Sequence, residues 1–194
     1  SRVSKRKGKA MNARNILGVL LLGAILISGG CMSRAIKEGV GAATGAKGSY
    51  TESPSMGPKG SKPLAGYQDF QVGTVEDDFS GRTPRELIRL LPAKIRMQLT
   101  DEHLPTGKGG RTIVINTRVF YYEKAGAMGQ VFGPLEEVVA EVQLVDKDTD
   151  RVVGNAICVG RSNSTTTQGV EQKAEGLAKG IVKWIKNRYP EMKK

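Results

Sequence analysis

The 194 residues carry 30 lysines and arginines against 19 aspartates and glutamates, a formal net charge of +11. Six of those basic residues, Arg2, Lys5, Arg6, Lys7, Lys9 and Arg14, precede Cys31 with no acid among them. The rest of the chain is therefore only +5, an excess too modest to argue for nucleic acid and closer to an affinity for anionic headgroups or wall polymers.

Met11 to Ser33 reads MNARNILGVLLLGAILISGGCMS, an apolar core from Ile16 to Ile27 between Arg14 and the small residues Ser28, Gly29 and Gly30. Such a core suits an export signal and falls short of the roughly 20 residues that a spanning helix needs. The basic residues ahead of it hold its start on the cytoplasmic side. Since the chain opens on Ser1, Met11 is taken as the start and residues 1–10 as upstream read-through. The small residues closing on Cys31 resemble the lipobox of bacterial lipoproteins, with Ser28 where that family usually has Leu. The resemblance implies cleavage before Cys31, acylation of its thiol and of the new amino terminus, and anchoring in the membrane by that lipid. Met32 after the cysteine, in place of Asp, implies the outer membrane, facing the periplasm. Residues 1–30 then drop out of the fold. A lipidated Cys31 forms no disulfide, and Cys158, inside VVGNAICVG, is expected to be a buried structural thiol.

Residues 31–66 hold seven glycines, five serines and three prolines. That composition predicts a flexible tether, because the segment cannot bury enough surface to offset its ordering entropy; GVGAATGAKG within it could instead pack as a glycine-rich helix. About 128 residues, 67–194, remain for one domain with its own core. YQDFQVGTV, from Tyr67, is a first strand ending at the acidic residues Glu76, Asp77 and Asp78. Thr83, Pro84 and Glu86 then supply an N-cap, a first-turn proline and a capping-box acid. In the helix they open, Leu87, Ile88, Leu91, Ile95 and Leu99 share one face, Arg85, Arg89 and Arg96 form a basic stripe, and Pro92 is expected to kink the rod.

Pro105 to Gly110 is a turn, lacking the Ser or Thr that a phosphate loop carries after its lysine. In the next strand, RTIVINTRVFYY, Ile113, Ile115, Thr117, Val119 and Tyr121 alternate inward. Val138, Ala140, Val142 and Leu144 do the same in EEVVAEVQLVD, and RVVGNAICVG follows as a fourth strand. Asp146, Asp148 and Asp150 superficially suggest a calcium loop, but Arg151 and Ile157 stand where an EF-hand needs Gly and Glu, so a polar hairpin turn is expected. The connection from Glu123 to Pro134 presents Met128, Val131 and Phe132 among glycines and suits either a partner surface or a loop folded back on its own sheet. A last helix, Gly169 to Tyr189, has an apolar stripe with Trp184 at its flank and Lys179, Lys183 and Lys186 opposite. Gly176 and Gly180, one turn apart, allow close approach to a neighbour.

The capped first helix, the LVDKDTDRVVGNAICVG hairpin and the polar SNSTTTQG entry to the last helix resemble an uncharacterised domain family of bacterial envelope lipoproteins. Both the resemblance and the patterning imply an α+β two-layer sandwich. Its four-stranded, mostly antiparallel sheet carries two amphipathic helices on one face, in the order βαβββα. No catalytic, cofactor or metal constellation stands out. The first expectation for function is a lipid-anchored binding or assembly module, not an enzyme, that meets envelope proteins, lipids or anionic wall polymers and no nucleic acid. The second is an accessory lipid- or complex-binding component of an envelope transport system. A hydrolase is the least supported, since the lone His103 sits at a helix end beside Asp101 and Glu102 with no identifiable nucleophile.

Overall fold

The computed structural model describes residues 46–52, 56–58, 60–123, 136–162 and 169–190. The chain divides into Ser1–Gly39, which lies outside the described residues, and the compact unit Val40–Lys194. That unit runs β1 (Lys47–Glu52), β2 (Asp69–Asp77), α1 (Arg85–Asp101), β3 (Thr112–Tyr122), β4 (Glu136–Asp146), β5 (Arg151–Ser162) and α2 (Val170–Arg188).

The sheet has five strands in the order β1-β5-β4-β3-β2, not four. The β2–β3 pair is parallel and the other three pairs are antiparallel. Parallel pairing follows from the helix between these strands, which returns the chain to the end where β2 began. The additional strand is KGSYTE, drawn from the stretch expected to be a tether. Its register sets Gly48 opposite Gly160 and Tyr50 opposite Cys158. Both glycines face α2. A Cβ on Gly48 would collide with the backbone at Gly176 and Gly180, and one on Gly160 with the backbone of Lys173 and Leu177. Four glycines thus let two strands and a helix meet backbone to backbone, so a segment nearly without apolar side chains still has a fixed place.

Both helices cover the same sheet face. Leu87, Leu91, Ile95 and Leu99 of α1 join Ala174, Leu177, Ile181, Trp184 and Ile185 of α2 over Phe70, Ile113, Ile115, Val119, Val138, Ala140, Val142, Leu144, Ala156 and Cys158. Each fully buried Leu or Ile contributes about 1.5–3 kcal/mol. Two local expectations differ from what forms. A register shift between Val119 and Tyr121 reverses the alternation, so Tyr121 is 38% exposed and Tyr122 8%. The α1 N-terminus has no side-chain cap; its first turn closes through Leu87 N–H on the Pro84 carbonyl at 2.9 Å. Thr83 is buried beside Asp77, and its side chain first, then the N–H groups of Phe79, Gly81 and Thr83 itself, hold that carboxyl below its ordinary value against the opposing effect of burial. The helix continues unbroken through Pro92.

From β1 the chain crosses to the opposite edge of the sheet, and described residues of 56–66 pack on the way. Met56 lies against Gly154, and Leu64 is fully buried. Arg188 anchors this strap, pairing through its guanidinium with Glu52 and donating from Nη1 to the Pro58 carbonyl at 2.8 Å. Burial works against charge on Glu52. The Arg188 guanidinium and the Trp184 indole N–H, 2.9 Å from Oε1, outweigh it, and the carboxyl titrates below its usual value.

Candidate functional site

The last helix builds the candidate site. Its apolar stripe is spent on the core, which leaves Lys179, Lys183 and Lys186 in line at i, i+4 and i+7 on the outward side, about 10 Å from first to last. The small residues Gly176 and Gly180 bring β1 against this helix. A Cβ on Gly176 would stand 2.8 Å from the Lys47 carbonyl oxygen, and one on Gly180 2.8 Å from that of Ser49. Lys47 and Gly48 thus border, with the three lysines, a groove of about 600 Å³, completed by Gln98 and Glu102 at the end of α1 and by Val182 and Asn187 of α2; Gly48, Tyr50 and Glu52 are the β1 residues turned toward α2, so the Lys47 side chain lies on the other face of the sheet, that of its partner Arg161.

Four lysines and one glutamate line this groove. Lys186 reaches Glu102 and so ties α2 to α1. Lys179 pairs with Glu175 at 2.6 Å and donates to the Ala46 carbonyl at 3.4 Å, just ahead of β1. Lys47 and Lys183 are exposed and have no acid partner among the described residues. Two cations committed to structure and one left over, Lys183, make a surface that attracts anions. Lysines on flexible stems do so as point charges, without the fixed fork of an arginine.

The basic stripe of α1 is where the sequence puts it. Arg85, Arg89 and Arg96 are exposed and form no ion pair with a described residue, and none of them lines the groove. Lys94 of the same helix instead bridges to Glu171 at 2.6 Å. Cys31 and the loop residues Met128, Val131 and Phe132 lie outside the described residues. His103 is exposed just past α1 with φ 59°. Cys158 is buried, and burial pushes its thiol pKa up, away from the reactive thiolate.

A second charged cluster is closed upon itself. Asp146 accepts from Arg111 Nη2 at 2.7 Å, from Tyr67 Oη at 2.8 Å, and from the N–H groups of Asp148 and Thr149 at 3.1 and 3.2 Å. The first of the three acids that superficially suggest a calcium loop is thus fully used in holding its own hairpin. Among the described residues no group of three or more His, Cys, Asp or Glu is placed to hold a metal ion, and no helix is long and apolar enough to cross a membrane.

Fold and groove together define a small α+β domain with a basic cleft between its helices and its first strand. No protein-family model matches the chain, and no curated protein matches it in sequence. Among solved structures it is similar to the PelC dodecamer from Paraburkholderia phytofirmans, at a TM-score of 0.48 and 14% identity, over 75% of this chain and 99% of that one. A variant of the same protein gives the same TM-score at 15% identity. A minor lipoprotein from Acinetobacter baumannii is similar at a TM-score of 0.29 and 16% identity, over 67% of this chain and 99% of that one.

Proposed function

We propose that this chain is a lipid-anchored protein of the bacterial envelope, held in the outer membrane through Cys31, whose domain is a binding module for an anionic partner on the periplasmic side. The address rests on the basic start, the apolar core and the small residues before Cys31. The binding reading is carried by one observation, the groove along Lys179, Lys183 and Lys186, with Lys183 exposed and without an acid partner among the described residues.

Expression in a bacterial host with labelled palmitate tests the anchor. Wild-type protein is expected in the membrane fraction, labelled, and Cys31→Ser in the soluble fraction, folded and unlabelled. A Cys31→Ser protein that fractionates with membranes as tightly as wild type would overturn the reading.

A second reading, an accessory component that docks on an envelope transport complex, is favoured by the apolar groups on the uncovered sheet face and at its hairpin. There Tyr121, Ile157 and Val152 are 38%, 39% and 53% exposed. Native mass spectrometry of gently solubilised protein distinguishes it, since a stable complex that survives loss of the groove lysines would favour docking through the sheet.

A further inference from the structure

We infer that one corner of the open sheet face, at the ends of β2 and β3 where Phe120 and Tyr121 stand among carboxylates, docks an arginine-bearing segment of a partner protein. This rests on the second reading, docking through the sheet, to which it gives a definite partner chemistry, and it depends on neither the groove nor the anchor.

Register builds the surface. The irregularity after Val119 leaves Phe120 as the extra residue and sets Tyr121 opposite Val139, which is itself opposite Val159. Phe120 and Tyr121 are both 38% exposed, and the two valines are half-buried. On one side of this apolar row lie Glu76, Arg118 and Glu141, in register across β2, β3 and β4. On the other side the Glu123 N–H donates to the Glu137 carbonyl at 2.8 Å, and Glu137 stands opposite Arg161. Each flanking row therefore sets two carboxylates against one arginine, and those arginines are taken up by Glu141 and Glu137. Glu76 and Glu123 are left over, with Asp78, whose N–H extends the sheet by donating to the Val119 carbonyl at 2.7 Å. None of the three makes an ion pair with a described residue.

Charge and ring faces then select the partner. The Tyr121 hydroxyl titrates above its usual value, first because of the Glu123 charge, then through burial and the Glu137 charge, so the field at the rings favours cations. Toward β1 the sign reverses, with Lys47 beside Arg161, which confines a cationic segment to the β2–β3 end. The chain's own Arg82 displays the contact that fits. Its guanidinium lies 5.4 Å from the centre of the Phe79 ring, and Phe79 packs at 5.9 Å against Tyr121. Arginine suits such a surface better than lysine, because its flat, weakly hydrated guanidinium stacks on a ring while its N–H fork reaches a carboxylate. In an extended segment every second side chain points the same way, at about 6.6 Å, which is also the spacing of the rows on this face.

The test measures the anisotropy of dye-labelled peptides with the full chain in nonionic detergent at fixed ionic strength. A peptide of alternating arginine and serine is expected to bind, its lysine counterpart several times more weakly, and its glutamate counterpart not at all. Phe120→Ala with Tyr121→Ala should weaken the arginine peptide about tenfold. Glu76→Lys with Asp78→Lys should weaken it at least about tenfold. Both acids are exposed, so this pair carries the test if the alanine variant does not melt cooperatively. Tyr121→Phe, which keeps the ring, should bind like wild type, and so should Glu86→Lys with Asp101→Lys, the same charge change on α1. Equal binding of the lysine peptide, or equal loss in the corner and α1 variants, would overturn the inference. So would a wild-type oligomer in analytical ultracentrifugation that Glu76→Lys with Asp78→Lys dissociates, which would give the corner to the arginines of a second copy. An indifferent arginine peptide beside a stable native complex would sink this corner alone and leave docking through the sheet standing.

Discussion

The carboxylate of Asp146 is 1% exposed, and Arg111, Tyr67 and two backbone N–H groups converge on it. The Arg111 guanidinium, also stacked over the Tyr67 ring at 4.5 Å, and the Tyr67 hydroxyl hold the Asp146 carboxyl far below the usual carboxylate range, against the opposing effect of burial. Burial and Asp146 together raise Tyr67. The sign follows from linkage: a carboxyl depressed in the folded state contributes stability that is complete above its unfolded pKa, about 3.9, and is lost as pH falls from there toward the folded value. Asp146→Asn should therefore melt well below wild type at pH 7, and the gap should narrow progressively below about pH 4. Calorimetric melting temperatures of both proteins between pH 7 and pH 3 check this, and a gap independent of pH would rule out a charge-dependent contribution. The sequence places Asp146 in a hairpin turn; it is the last residue of β4, at the foot of that turn, and its partners are 79 and 35 positions away. No spacing rule reaches that far. Tyr121 was illegible for a nearer reason: alternation assigns it inward, and a single-residue irregularity after Val119 sends it out.

At the level of elements, what could be read was what carries an apolar period. The helices and β3 to β5 announce themselves by their stripes, whereas the parallel pairing of β2 with β3 emerges only from the structure. The strand Lys47–Glu52 carries no such signal. Its inward positions are Gly48, Tyr50 and Glu52, of which one contacts helix backbone and another forms an ion pair with Arg188. Only the recurrence of glycines at 48, 160, 176 and 180 hints at it, and that pattern joins three elements far apart in sequence. A chain beginning at Tyr67, the boundary that composition suggests, should accordingly fail to fold, whereas one beginning at Ala46 should unfold cooperatively. The shorter chain loses Met56 and Leu64, about 1.5–3 kcal/mol each. It also leaves the largely buried Arg188 guanidinium without Glu52, on the order of 3 kcal/mol. Against a typical total of about 5–15 kcal/mol, these losses remove most of the margin. Far-UV circular dichroism with temperature decides the matter; a sharp transition of residues 67–194 near the midpoint of the longer chain would show that β1 and the strap are accessory.

For the whole molecule, helices and sheet make two unlike surfaces. The helical side carries the unpaired cations Arg85, Arg89, Arg96 and Lys183, while the open sheet face pairs Arg118 with Glu141 and Arg161 with Glu137 and exposes Tyr121 and Ile157. The lysine row of α2 is visible in the sequence as one helix face. The groove is not, because its other wall, Ala46 to Gly48, comes from a segment that composition assigns to the tether. If the helical side meets the leaflet, the sheet face is turned outward, free for a protein partner, and the orientation can be read directly. Cys158 is buried with its thiol pKa pushed up, so in the Cys31→Ser background a single introduced cysteine takes up a thiol-reactive dye selectively. Gln98→Cys puts the dye at the groove without removing a cation, and Val152→Cys puts it on the hairpin, at a residue 53% exposed. On adding phosphatidylglycerol-containing vesicles, an environment-sensitive dye at residue 98 should shift its emission to the blue and lose access to an aqueous quencher. The dye at 152 should do neither, and high salt should reverse the change at 98, since attraction between exposed charges is screened over about 3 Å at 1 M salt. Equal shifts at both positions would mean that the domain lies on the membrane without a preferred face. A shift at 152 alone would put the sheet on the leaflet and leave the lysines for a ligand.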